Sequence, residues 1–166
     1  NRIVKYDRSW SNVVVVAGNM TTEDNGDGGP ALNAGIYHPR GLTFDDGGNL
    51  YVTTERGYIR RIDTAGTITT YAGVPLGTIG SLLEDSVDAD RLALGTPTGI
   101  IVDSIKRLMF VADTQLNRII QINMQTRKAD LIAGSGEVCG PSNIGDGGSA
   151  LSACLSRPTW IGLDSN

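Results

Sequence analysis

The hydrophobic residues of the chain fall in short runs that are separated by turn-forming residues. The runs are rich in β-branched and aromatic side chains and do not recur with helical spacing. Residues 45–49 (D-D-G-G-N) and 64–66 (T-A-G) lie between such runs, and Asp, Asn and Gly favour tight turns. The pattern therefore predicts an all-β protein. The predicted strands are Ile3–Tyr6, Val13–Val16, Gly41–Phe44, Leu50–Thr53, Ile59–Ile62, Ile68–Tyr71, Gly99–Val102, Leu108–Ala112, Ile119–Ile122, Leu131–Ala133 and Ile161–Leu163.

The same pattern recurs along the chain. Three aspartates each precede a proline by twelve residues, and an Ala-Gly pair closes each unit. The pairs are Asp27 and Pro39, Asp85 and Pro97, and Asp146 and Pro158. Each unit of about 55–60 residues holds four predicted strands, a to d, and a long connector. Four-stranded units in series are typical of the blades of a β-propeller.

The repeated motif G-D-G-G-P-A … P-R-G-L … G-N-L-Y-V … R-I … I-T-T … A-G resembles that of the NHL-repeat β-propellers. Residues 112–119 (A-D-T-Q-L-N-R-I) are similar to the A-D-T-x-N-H-R-I segment of that family. They differ in an inserted Leu116 and in the missing histidine, and residues 53–59 keep neither the Asp nor the Asn. The resemblance covers nearly the whole chain and implies four-stranded blades, six of them in the parent ring.

The strands add up to a partial propeller over residues 1–166. Residues 1–18 correspond to strands c and d of one blade, 39–73 and 97–134 to two complete blades, 158–166 to strand a of a further blade, and 19–38, 74–96 and 135–157 to connectors. End blades without neighbours leave unpaired strand edges, which favour association. Two explanations of how these edges are covered stay open. The remaining blades of a parent chain could cover them, or the chain could associate with itself head to tail.

The first connector contains the acidic, glycine-rich run 24–29 (D-N-G-D-G-G). It has the composition of a calcium loop but neither the ligand spacing nor the closing Glu of an EF-hand, so we predict no metal. We interpret Asp27 and Asp146 as turn-forming residues whose carboxylates accept hydrogen bonds from the main-chain N–H groups that follow. Asp85 is assigned the same structural role, as are the three prolines at the ends of the connectors. Residues 31–36 are expected to form a short turn that enters the groove between blades.

Two features bear on the cellular location. Cys139 and Cys154 lie in the same connector, fifteen residues apart. A bridge between them would contribute about 3 kcal/mol and would imply an oxidising compartment, but two thiols remain equally open. Asn19-Met20-Thr21 matches a glycosylation acceptor. Both features favour an extracellular or cell-surface location.

The functional chemistry is sparse. His38 is the only histidine, so the sequence supplies neither a multi-histidine zinc site nor a defined nucleophile–histidine–acid triad. The net charge of −4 argues against a nucleic-acid platform, and the apolar runs are too short to span a membrane.

The resemblance implies that the d-to-a connectors and the b-to-c turns share one rim around the channel mouth. The candidate binding residues on this rim are His38, Arg40, Arg56, Gln115, Asn117 and Arg157. We therefore expect a noncatalytic scaffold without a cofactor that binds a protein or peptide through its loop rim. The alternative is a fragment of a propeller hydrolase or lyase whose catalytic residues lie in other blades.

Overall fold

The computed structural model describes residues 1–74, 86–138, 140 and 145–164. Within these ranges the regular structure is almost entirely β, which confirms the predicted fold class. The strands are β1 (Ile3–Tyr6), β2 (Val13–Ala17), β3 (Pro39–Phe44), β4 (Leu50–Thr54), β5 (Ile59–Ile62), β6 (Ile68–Ala72), β7 (Val87–Asp88), β8 (Pro97–Asp103), β9 (Leu108–Asp113), β10 (Arg118–Asn123) and β11 (Lys128–Ala133). Single-turn 3₁₀-helices occupy the same place in each connector, at Ala31–Asn33, Ala89–Arg91 and Ala150–Ser152.

The described strands form three antiparallel sheets. Strands β1 and β2 form a hairpin, β3 to β6 form a four-stranded meander, and β8 to β11 form a second meander. The short strand β7 was not predicted. It pairs with the outer strand β11, where Ala129 lies opposite Val87, and so covers an edge that the predicted blade would leave open.

The two meanders pack side by side through their innermost strands, β3 and β8. A Cβ atom added to Gly41 would lie only 2.0 Å from the Thr98 carbonyl oxygen, so this position requires glycine. Gly41 N–H donates to Thr53 Oγ1 at 2.8 Å, and Thr53 Oγ1 donates to the Thr98 carbonyl at 3.2 Å. The close backbone approach therefore sets the spacing between neighbouring sheets.

The segment after the third connector repeats this packing without forming a strand. Thr98 Oγ1 donates to the Thr159 carbonyl at 3.1 Å, and Thr114 Oγ1 donates to the Pro158 carbonyl at 2.7 Å. The prediction of a strand at Ile161–Leu163 is nevertheless wrong for this structure. A strand requires a partner for its ladder of hydrogen bonds, and none of the described strands lies on its open side.

Two hydrophobic clusters hold the sheets together. One lies between the meanders and includes Tyr51, Ile100 and Met109, and the other lies between the β1–β2 hairpin and the first meander. The first connector enters the second cluster as expected, with Ala31 and Ile36 buried. Burial of the Ile36 side chain contributes about 1.5–3 kcal/mol to stability.

The groove between the β1–β2 hairpin and the first meander is only partly covered at its outer part. Leu42 and Phe44 on β3 remain 51% and 63% exposed, and they line a cavity of about 740 Å³ beside the hairpin. Helices long and apolar enough to cross a membrane are absent from the described ranges.

Candidate binding site at the rim

Four of the six predicted rim residues line one cavity of about 620 Å³ between the two meanders. They are Arg40, Gln115, Asn117 and Arg157. The same wall contains Glu55, Thr96, Thr98, Thr114, Val138, Ser156 and Thr159. A cavity of this size is within the usual range of ligand sites.

The other two predicted residues lie next to this cavity in a stack of side chains. The His38 ring stacks on the Tyr37 ring with centroids 4.3 Å apart, and the Arg56 guanidinium lies 4.5 Å from the centroid of Tyr37. His38 Nδ1 also contacts Glu55 Oε2 at 2.8 Å. The six predicted residues therefore divide between the wall of this cavity and its border.

Glu55 joins the border to the cavity wall. Its Oε2 accepts a hydrogen bond from Arg40 at 2.5 Å in addition to its contact with His38. These interactions with His38 and Arg40 lower the pKa of Glu55 below its ordinary value, so the carboxylate is charged at neutral pH. Both Arg40 and His38 remain about half exposed, so the cluster stays accessible to a ligand.

Asn117 fixes the backbone of the third connector. Its Oδ1 accepts a hydrogen bond from Arg157 N–H at 2.9 Å, and its Nδ2 donates to the Glu137 carbonyl at 3.3 Å. The backbone of Arg157 has φ of 49°, a left-handed conformation that is unfavourable for a residue with a side chain. The amide of Asn117 thus stabilises the strained residue that carries the Arg157 side chain.

The same device occurs at the first connector. Asn1 Oδ1 accepts a hydrogen bond from His38 N–H at 3.0 Å, and Asn1 Nδ2 donates to the Thr21 carbonyl at 2.8 Å. His38, like Arg157, has a positive φ and precedes a proline. Pro39 and Pro97 begin β3 and β8, a position where the missing N–H of proline is tolerated.

A buried ion pair supports the cavity from within the second meander. Asp113 is fully buried and accepts two hydrogen bonds from Arg118, each of 3.2 Å, and one from Gly95 N–H at 3.1 Å. Arg118 also donates to the Ala93 carbonyl at 2.6 Å. Burial raises the pKa of Asp113, and the Arg118 guanidinium only partly offsets that effect.

The first meander builds the equivalent site from different residues. Thr54 occupies the position of Asp113, and the carboxylate comes instead from Asp24, which accepts from Tyr37 N–H at 2.9 Å and from Thr54 Oγ1 at 3.0 Å. Arg60, which is fully buried, replaces Arg118 and donates to the Gly35 carbonyl at 3.1 Å. Sequence reasoning missed both pairs. The available signal was an Arg next to an Ile that begins strand c in both meanders.

The interpretation of the acidic turns needs correction. A backbone hydrogen bond from Gly29 N–H to the Gly26 carbonyl closes the first turn. The carboxylate of Asp27 accepts instead from Arg60 at 2.5 Å and from Thr70 N–H at 2.8 Å. The reason is that the turn lies over the end of strand β6, so the carboxylate points to that strand and to the buried guanidinium.

The turn at Asp146 is closed in the same way, by Gly148 N–H donating to the Gly145 carbonyl at 3.1 Å. The expected bond from its carboxylate to a following N–H is not found among the described residues, because the backbone already closes this turn. Asp85 and Cys139 lie outside the described residues, so the role of Asp85 and the bridge to Cys154 stay predictions. Asn19 is exposed, and its Nδ2 donates to the Asn33 carbonyl at 2.7 Å.

Across the described ranges, clusters of three or more His, Cys, Asp or Glu side chains that could hold an ion are absent.

Comparison with known families decides the relationship of the chain. A family model, the Teneurin NHL domain, matches residues 3–122. The chain belongs to the teneurin NHL domain family. The NHL-repeat resemblance of the motifs is thereby confirmed.

Individual teneurins extend the match. The chain is 33% identical over 154 residues to Teneurin-1 of Caenorhabditis elegans, which covers 87% of this chain and 6% of that protein. It is 36% identical over 111 residues to Teneurin-1 of Gallus gallus, covering 66% and 4%, and 36% identical over 104 residues to Teneurin-4 of Homo sapiens, covering 61% and 4%. The chain thus spans only a small part of the length of these teneurins.

Two solved structures share the fold. A Bacteroides thetaiotaomicron protein of unknown function gives a TM-score of 0.66 at 16% identity, covering 96% of this chain and 36% of that one. An auxiliary nutrient binding protein from the same organism gives 0.60 at 14% identity, covering 99% and 38%. At these identities the likeness concerns the fold alone.

Proposed function

We propose that this teneurin NHL segment is a noncatalytic scaffold that binds a protein or peptide at the rim cavity. The observation that carries the proposal is the convergence of Arg40, Gln115, Asn117 and Arg157 on one cavity of about 620 Å³. These residues come from strand β3, the β9–β10 turn and the third connector, and Asn117 holds the connector in place. A preformed polar surface loses less conformational entropy when a partner binds.

The hydroxyl groups of the cavity favour binding over catalysis. Thr98 and Thr114 donate to the main-chain carbonyls of Thr159 and Pro158, so neither is activated by a base. His38 contacts Glu55 and stacks on an aromatic ring. The alternative of a hydrolase or lyase therefore finds no supporting contact among the described residues.

The proposal includes completion of the propeller and an extracellular location. The half-covered groove with Leu42 and Phe44 fits strands supplied by a parent chain or by a second copy. A bridge between Cys139 and Cys154 would support the oxidising compartment. Titration of two native thiols would instead argue against both the bridge and the location.

A peptide library displayed on phage tests the binding role. Peptides selected on the wild-type protein are then measured against Gln115→Tyr, which fills the cavity. The matched control is Gln125→Tyr, which makes the same change in an exposed turn at the opposite end of β10. We expect most selected peptides to lose binding only with Gln115→Tyr. Equal binding to both variants would refute a role for the cavity.

A further inference from the structure

We propose that the rim cavity recognises a carboxylate, supplied by a glutamate or aspartate side chain of the bound peptide. This inference rests on the proposed function and specifies the chemistry of its ligand. It follows from which polar atoms of the cavity wall are already engaged within the protein and which are not.

The amide acceptors of the wall are engaged. Gln115 Oε1 accepts a hydrogen bond from Thr96 Oγ1 at 3.0 Å. Asn117 Oδ1 accepts from Arg157 N–H at 2.9 Å. A ligand that needed these amide acceptors would have to break the internal bonds, and the other acceptor side chain of the wall, the Glu55 carboxylate, already has its charge paired with Arg40.

The hydroxyl protons are engaged as well. Thr98 and Thr114 lie 2.6 Å apart through their Oγ1 atoms, and each also reaches a main-chain carbonyl. Each hydroxyl has a single proton to donate. These three contacts use both protons, so neither hydroxyl keeps a proton for a ligand.

Two donor side chains of the wall, Arg157 and Gln115, are not engaged in this way. Hydrogen bonds and ion pairs to the Arg157 guanidinium or to Gln115 Nε2 are absent within the described part of the chain. Guanidinium and amide N–H groups are donors only, and a guanidinium binds a carboxylate with two parallel hydrogen bonds. The Arg157 guanidinium and the Gln115 amide N–H groups are thus complementary to an anionic acceptor.

The charge of the cavity wall also favours an anionic ligand. Glu55 is the acidic residue on the wall, and its carboxylate is paired with Arg40 at 2.5 Å. Arg157 adds a second positive charge without a described partner, so the described residues of the wall carry a net charge of about +1 on a chain whose net charge is −4. Non-specific attraction of anions to the whole chain is therefore unfavourable, and binding of an acidic peptide would report on this site.

The position of Arg157 is fixed before a ligand arrives. Asn117 holds its backbone N–H, so only the side chain needs to be ordered on binding. Val138, also on the wall, is 89% exposed and offers an apolar contact in the same cavity. We infer that the preferred segment carries an acidic residue next to an apolar one.

The test uses fluorescence anisotropy with a fluorescein-labelled peptide of alternating valine and glutamate. The matched probe has glutamine in place of each glutamate. The protein is measured as wild type, as Arg157→Gln and as Arg157→Lys. The control Arg91→Gln removes the same charge from an exposed arginine on the second 3₁₀-helix, away from the cavity wall.

We expect the glutamate peptide to bind and Arg157→Gln to weaken it by about tenfold or more, the loss of one charge-assisted bidentate contact. Arg157→Lys should recover part of the affinity, because it keeps the charge but not the paired geometry. Arg91→Gln should change it by less than about twofold. Because the Arg157 side chain makes no described hydrogen bond, Arg157→Gln should melt like the wild type.

Equal binding of the glutamate and glutamine peptides, or unchanged affinity in Arg157→Gln, would overturn the inference. Failure of the acidic peptide while library peptides still depend on Gln115 would overturn the carboxylate and leave the proposed function intact. Failure of both experiments would remove the proposed function as well.

Discussion

The buried pair of Asp113 and Arg118 permits a quantitative prediction. Replacing Arg118 with methionine keeps most of the apolar stem but removes the guanidinium. Its two hydrogen bonds to Asp113 and the one to the Ala93 carbonyl are lost. The carboxylate of Asp113, which is fully buried, keeps the backbone hydrogen bonds from Gly95 and Leu116 but no charged partner.

Leaving one member of a buried ion pair without its partner costs about 3–5 kcal/mol. Arg118→Met should therefore lower the free energy of unfolding by that amount at pH 7. The double variant Asp113→Asn/Arg118→Met removes the buried charge as well. It should recover part of the loss and keep a deficit of about 1–3 kcal/mol for the unbonded carbonyl of Ala93. The exposed control Arg91→Met should change stability by less than about 0.5 kcal/mol.

The effect should depend on pH. Burial already places the pKa of Asp113 above its ordinary value, and loss of Arg118 removes the main charge that opposes this shift. A carboxyl whose folded pKa is raised contributes stability that is complete below the unfolded pKa and is lost as the pH rises through the folded pKa. The deficit of Arg118→Met should therefore be largest at pH 7 and smaller near pH 4.

Urea unfolding at several pH values measures both the stability deficit and its dependence on pH. The transition is followed by tryptophan fluorescence and circular dichroism. The slope of the transition should stay the same in all variants, so that differences in midpoint report stability. A deficit below about 1 kcal/mol, or one that does not vary with pH, would contradict the assignment of Asp113 and Arg118 as a charged buried pair.

Three further experiments test other parts of the structure. Asp27→Asn should cost about 0.5–1.5 kcal/mol, because the side chain is half exposed and pairs with Arg60. Burial raises the pKa of Asp27, but its hydrogen bonds to Thr70 and Arg60 outweigh burial, so the pKa is lowered. In an acid titration of stability, the cost of Asp27→Asn should therefore be complete above about pH 4 and should vanish as the pH falls through the lowered pKa. Gly41→Ala should cost at least about 2 kcal/mol in urea unfolding, against about 1 kcal/mol for Gly28→Ala, where an added Cβ meets nothing within 4 Å and only backbone strain acts. Sedimentation of the isolated chain should show association through its exposed apolar groove, and a stable monodisperse monomer would contradict that expectation.

The repeat made much of the fold predictable. Local alternation and turn residues located the strands of both meanders, since these signals depend on residues close in sequence. Strand β7 escaped prediction because it consists of two residues whose only reason to be extended is the adjacent edge of β11. The expected strand at Ile161–Leu163 failed for the opposite reason, because its local pattern is suitable but no described strand pairs with it.

The candidate site was predictable only in part. The rim positions of Arg40 and Arg157 follow from their places beside the prolines that end the connectors. The buried arginine of the first meander does not follow, because alternation shows only that one of Arg60 and Arg61 faces inward. Which one is buried depends on the position of Asp24, which is distant in sequence and supplies the carboxylate.

The two meanders vary in different ways at their interior and at their rim. In the interior, the carboxylate and the guanidinium come from different chain positions, yet each meander retains a buried arginine that donates to the equivalent connector carbonyl. At the rim, two equivalent positions hold the Arg40–Glu55 ion pair in one meander and the Thr98–Thr114 hydroxyl pair in the other. The two meanders thus share the same interior interactions, made by residues at different positions, whereas at the rim the same positions carry different types of side chain. Folding requires the shared interior interactions, whereas differing side chains at equivalent positions are expected on a surface that binds a partner. This difference between interior and rim supports the rim cavity as the binding surface.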